Sequence, residues 1–329
     1  MKITRKLRKA ITYQVLKNGM ELACKGNMAT VERLRHIALG VSRCAIPLRR
    51  RLAKNMKLAK VYRKGLIDGH FERAADQLIM LAHIFRAGFP ASGCPERFKF
   101  DDSYEFLEQA YAMGKGVINI APHICGYPVY PAVVSRRLPC SIYLRHNKDP
   151  RKMRINDAIG LAGEGDLVYP PKGASKAQRL QVAIDVLRQR KLLFITPDTP
   201  RKPHQGVAVT IYGKTVYFPT GVFVMSLRTG APVVPVFWYW QDGAYHIQYD
   251  PPINLTRKGG IKEQVEAATQ QWTQRVDGFL HEHPEMWWNW LDKRWTQIIR
   301  NKQVNVNLIE KIIKRPQAAT GACIKTTVE

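Results

Sequence analysis

Three short apolar runs, each handed at once to a polar residue, constrain this chain more than any other feature. Residues 116 to 121 read Gly-Val-Ile-Asn-Ile-Ala and lead into Pro122 and His123. Ser141-Ile142-Tyr143-Leu144 ends at Arg145, and Leu192 to Thr196 runs into Pro197 and Asp198. Runs this short and continuous suit strands buried on both faces, the habit of parallel sheets. Between and around them lie segments of helical character. Ser103 is expected to cap a helix through Met113, with Glu105 and Glu108 early in it, before Gly114 and Gly116 break into the strand that carries His123. Ser175 opens a second helix through Arg190, with Leu180, Ala183, Ile184 and Leu187 on one face.

The pattern continues in the same manner. Strands are expected at Cys140 to Leu144, Asp166 to Tyr169 and Val233 to Trp240, with Asp242-Gly243 turning into Tyr245 to Tyr249. Val207 to Phe218 reads as a hairpin turning at Gly213-Lys214, followed by a helix from Thr220 to Arg228 that stops at Gly230. A last long helix covers Lys262 to Leu280. This alternation predicts an α/β fold: a mostly parallel or mixed central sheet with helices on both faces. The expected organisation is a basic helical region over 1–88, an α/β domain over 89–300 and a tail over 301–329. Ligands of open α/β sheets bind beyond the carboxyl ends of the strands, which is where His123, Arg145 and Asp198 fall.

Charge narrows the partners. The chain carries 52 Lys and Arg against 26 Asp and Glu, a net of +26, and residues 1 to 64 hold 18 of those bases against only Glu21 and Glu32. Arg49, Arg50, Arg51, Lys54, Lys57, Lys60, Arg63 and Lys64 are interleaved with Leu48, Leu52, Met56, Leu58 and Val61. Basic helix with apolar stripes suits an anionic bilayer surface; a basic face packed on the rest of the protein is the alternative. No stretch reaches the roughly 18 to 20 apolar residues that span a bilayer, and the first residues lack a signal-peptide core. The expected location is peripheral, on the cytoplasmic side. Charge alone would also suit nucleic acid, but no zinc-finger or RNA-recognition pattern accompanies it, so no nucleic acid is expected. The six cysteines form no CxxC pair, and no metal site is expected.

The chemistry rests on the residues at the strand ends. His123 can serve as a general base near neutral pH. Arg145 can hold a phosphate or carboxylate, and Asp198 can orient a base or bind a hydroxyl. Taken singly, each has a plainer reading: a structural histidine, a surface ion pair, a turn or cap. Three polar groups at three strand ends make the stronger signal. Cys125, two residues after His123, is a second candidate nucleophile.

Several segments carry a resemblance beyond spacing. Arg50 to Asn55, Gly116 to His123, Ser141 to Arg145, Thr196-Pro197-Asp198 and Tyr212 to Gly221 line up in order. Arg228-Thr229-Gly230-Ala231-Pro232-Val233-Val234-Pro235-Val236 follows, then His283-Pro284-Glu285-Met286-Trp287-Trp288-Asn289-Trp290 with Lys293-Arg294-Trp295. Over about residues 31 to 300 the chain resembles the late acyltransferases of bacterial lipid A biosynthesis, within the lysophospholipid acyltransferase superfamily. The resemblance implies transfer of a fatty acyl group from acyl carrier protein or acyl-CoA to a hydroxyl or amine of a lipid acceptor at the bacterial inner membrane. The thioester is a co-substrate and no further cofactor is implied. His123 would be the general base, with Arg145, Gly213, Lys214 and Gly221 near the substrates.

One position departs. The family pattern is His, four residues, then Glu or Asp, and the fifth residue after His123 is Pro128. A carboxylate there would hold the imidazole and stabilise its charged form. Asp198 is the first substitute, with Glu164 or Asp166 as others; a binding protein with impaired catalysis is the other consequence. The seven tryptophans are read mainly as core, with Trp287 to Trp295 closing the domain.

Overall fold

The computed structural model describes residues 28–87, 97–144, 165–253 and 259–301, with positions 14, 18, 153 and 255 besides. Nine strands run in chain order: β1 Phe98–Phe100, β2 Val117–Ile120, β3 Cys140–Tyr143, β4 Asp166–Val168, β5 Leu192–Ile195, β6 Val207–Ile211, β7 Lys214–Phe218, β8 Val233–Gln241 and β9 Ala244–Tyr249. Seven of them form one mixed sheet in the order β1-β9-β8-β2-β5-β3-β4. The run β8-β2-β5-β3-β4 is parallel throughout, β9 is antiparallel to β8, and β1 is parallel to β9. All four residues of β2 are buried. The expected α/β class is therefore the observed one. Strand β1 was not anticipated, because three residues are too few to show a period.

The helices are α1 Met28–Cys44, α2 Ile46–Leu58, α3 Leu66–Ala87, α4 Tyr104–Ala112, α5 Tyr130–Val134, α6 Lys176–Arg188, α7 Gly221–Thr229, α8 Ile261–Glu282 and α9 Lys293–Ile299. Ser175 caps α6 as expected: its hydroxyl accepts from the Gln178 N–H, and the Gln178 side chain returns a bond to the Ser175 N–H. Ser103 does not cap α4. Its hydroxyl donates to Asp101 and accepts the Tyr249 N–H at 2.7 Å, so it ties the start of α4 to the end of β9.

The β6–β7 hairpin turns on Tyr212-Gly213, one residue earlier than expected. Both residues have positive φ, 52° and 66°, the geometry of the tight hairpin turn whose twist matches its strands. Tyr212 is an unusual choice for that conformation. Compensation comes from its N–H, which bonds Asp277 at 2.7 Å, and from its ring, stacked on Trp290 at 5.2 Å.

The basic helical region is fastened to the sheet domain. Arg73 and Asp76 of α3 pair at 3.0 Å, Arg35 of α1 reaches the same carboxylate at 2.7 Å, and the Arg73 guanidinium lies 3.9 Å over the Trp240 ring. From α2, Asn55 donates to the Trp290 carbonyl at 2.8 Å and Arg51 to that of Leu291 at 3.0 Å. Residues 302–329, including the apolar positions of the tail, lie outside the described residues, as do Cys24, Cys94 and Cys323.

Candidate active site

Register decides where the site forms. β2 and β5 are parallel neighbours, and Ile120 pairs with Ile195. Three residues beyond each of these stand His123 and Asp198. The ladder continues one step further, with Ala121 N–H bonded to the Ile195 carbonyl at 3.2 Å. Pro122 and Pro197 then occupy matching positions, and proline cannot extend a ladder through its nitrogen. Both chains leave the sheet side by side, so the two polar side chains converge at its carboxyl end.

The carboxylate of Asp198 meets His123 twice. One oxygen accepts the His123 backbone N–H at 2.9 Å and the other bonds Nδ1 of the ring. The first oxygen also accepts the Asn289 side-chain amide at 2.9 Å. Asp198 is 1% exposed, so an ionised carboxylate there depends on such donors. Because it can only accept, the proton of a neutral imidazole sits on Nδ1, and Nε2 presents a lone pair. Thr196 Oγ1 lies 3.2 Å from Nε2. The His123 side chain keeps 21% of its surface open.

The loop after His123 is pinned from three sides. Cys125 N–H bonds the Met286 carbonyl at 2.7 Å, and Trp288 N–H bonds the His123 carbonyl at 2.9 Å. Trp238 Nε1 donates to the Cys125 carbonyl at 2.7 Å, and Gln77 of α3 accepts the Gly126 N–H at 2.8 Å. Gly126 has φ +93°, and a side chain there would begin 3.2 Å from the Trp238 indole nitrogen, so the turn needs glycine. The Tyr127 ring stands edge-on to the imidazole at 4.9 Å, and burial, then the charge of Asp198, pushes its phenol up to about 12. It remains a neutral wall.

The comparisons now have a geometry to attach to. A family model described as bacterial lipid A biosynthesis acyltransferase matches residues 2–297. The chain belongs to that family. No curated protein matches it.

In this lipid A acyltransferase family member the residues singled out from sequence have unequal placements. His123 and Asp198 meet. Arg145 and Glu164 lie outside the described residues. Asp166 opens β4 at the opposite end of the sheet, exposed and paired with Lys191, so it is no partner for His123. Gly213 and Lys214 sit at the hairpin tip beside α8, and Gly221 opens α7; among the described residues none of the three is hydrogen-bonded to His123 or Asp198. Cys125 is fully buried, and loss of water pushes its thiol far up. A thiol held protonated in the core is no nucleophile. Among the described residues no three His, Cys, Asp or Glu side chains are grouped to hold a metal ion.

Three residues of the site were missed in the sequence: Thr196, Tyr127 and Asn289. Thr196 had a signal, since it lies in the strand-end segment with Asp198. Asn289 had none, because 166 residues of chain separate it from His123.

Proposed function

We propose that this protein transfers a fatty acyl group from acyl carrier protein or acyl-CoA to a hydroxyl or amine of a lipid A-like or other lipid acceptor, with His123 as general base. The observation that carries the reading is the buried Asp198 carboxylate on Nδ1 of His123, from a neighbouring strand. It provides what an acid at position 128 would have provided. The ring is fixed in the tautomer whose Nε2 can take a proton from the attacking group, and the imidazolium that forms meets a negative charge. As the thiolate leaves, the same proton is available to it.

The acceptor side of the proposal is a membrane. Ile37, Val41, Ile46 and Leu48 of α1 and α2 are exposed, at 60%, 65%, 53% and 43%. Arg43, Arg50, Lys54 and Lys57 stand exposed on the same two helices. Apolar side chains flanked by bases favour an anionic lipid surface, at about 1 kcal/mol per base near the surface. No helix among the described residues is long and apolar enough to cross a bilayer, so peripheral binding at the cytoplasmic leaflet is the form proposed.

The deciding experiment incubates the purified protein with radiolabelled dodecanoyl-CoA or dodecanoyl-acyl carrier protein and a bacterial membrane lipid extract. Labelled lipid should form with wild type and be lost in His123→Ala. Equal product from both proteins would refute the role of His123. No product from wild type with either donor would leave the chain a binding member of its family.

A further inference from the structure

The nitrogen that must accept the substrate's proton already faces a hydroxyl of the protein. Thr196 Oγ1 is 3.2 Å from His123 Nε2, within the reach expected of a nucleophile and its base before substrate binds. Thr196 and His123 are both only partly buried. With Asp198 on Nδ1, the three side chains form a hydrogen-bonded series: hydroxyl, imidazole, buried carboxylate. Any acceptor that attacks a bound thioester directly must first displace Thr196, because Nε2 has one lone pair. Cys125, the other nucleophilic side chain beside His123, is in the core. We propose that Thr196 is the nucleophile of a two-step transfer and carries the acyl group as an ester on Oγ1. This rests on the acyltransferase reading above.

The steps balance without any outside reagent. In the first, His123 Nε2 takes the Thr196 proton while Oγ1 attacks the thioester carbonyl. The C–S bond breaks, and the departing thiolate takes the proton back from the imidazolium. In the second, the acceptor hydroxyl or amine gives its proton to Nε2 and attacks the Thr196 ester. The bond from the carbonyl carbon to Oγ1 breaks, and Oγ1 recovers the proton. Nothing is oxidised or reduced. Ordering between proline and strand favours the role: Pro197 restricts Thr196 to extended backbone, and β5 ends at its neighbour Ile195.

The test gives the full-length protein dodecanoyl-CoA with no acceptor, quenches in acid and maps adducts by peptide mass spectrometry. Transfer to a bacterial lipid extract is measured in parallel. The expected result is a burst of free CoA close to one per protein and a dodecanoyl ester on the peptide holding Thr196. Thr196→Ser should retain adduct and transfer, whereas Thr196→Ala should lose the adduct and about a hundredfold or more in transfer rate. Donor and acceptor kinetics should be ping-pong. Transfer by wild type without an adduct, or a Thr196→Ala protein altered only in its KM for the acceptor, would overturn the nucleophile and leave the His123–Asp198 reading intact. Neither adduct nor transfer in wild type, with CoA and carrier-protein donors alike, would overturn both.

Discussion

Asp198 holds His123 by backbone and ring at once, one carboxylate oxygen to each. A ring bond alone would fix a tautomer. The added backbone bond fixes where the residue sits, so the base is positioned even though the next acid along its own loop is absent.

Replacing that carboxylate should therefore cost rate more than stability. In Asp198→Asn the ring loses its charged acceptor, and acyl transfer should fall by about two to four orders of magnitude, as in the serine-protease case. Asn289→Ala removes one of the donors to Asp198 and should cost about tenfold, the worth of one hydrogen bond to a charged group. Steady-state kinetics beside thermal melts checks both. A melt that collapses in Asp198→Asn with activity per folded molecule unchanged would count against the assignment.

Cys125→Ala should leave kcat within about twofold of wild type. The side chain fills core space, so the expected loss is about 1 kcal/mol of stability. A large fall in kcat in well-folded variant protein would reopen the thiol as a participant.

His70 makes stability pH-dependent. Its buried ring loses its water, which draws its pKa down from 6.5 to about 4, against the opposing bond to the Glu285 carbonyl. Between those values the unfolded chain binds a proton that the folded chain refuses. The stabilisation is whole above pH 6.5 and is lost as pH falls toward 4, on the order of 3 kcal/mol in all. Urea unfolding at pH 7, 5.5 and 4.5 should show a steeper decline for wild type than for His70→Asn. Parallel declines would remove His70 as the source.

Vesicles test the apolar patch and its bases separately. Binding to vesicles rich in anionic phospholipid should exceed binding to neutral ones and weaken with salt, since exposed charges are screened beyond about 10 Å at 0.1 M. Changing Ile37, Val41, Ile46 and Leu48 to serine together should weaken binding even at low salt. Unchanged sedimentation of that variant would move the membrane face elsewhere.

The sheet was legible because each inner strand is a short apolar run, and its paired ends predicted where chemistry would gather. His123 and Asp198 could be read as partners only because parallel register equates positions counted from a strand end. Asn289 was invisible for the opposite reason: it belongs to a one-turn segment with no periodicity, brought back to the site by α8. Ser103 and Tyr212 misled for a shared cause. Local preference favours a cap and a later turn, but a distant partner, Tyr249 in one case and Asp277 in the other, offers a better hydrogen bond.

The segment from Pro284 to Leu291 supplies the carbonyl that holds Cys125, the N–H that holds His123 and the amide that holds Asp198. It is made more than 160 residues after the histidine it secures. During synthesis the base and its carboxylate can exist for most of the chain's growth without being locked together. Catalytic competence is thus assigned to nearly the last folded piece, and a chain cut short before Asn289 would carry every strand of the sheet yet lack an ordered site.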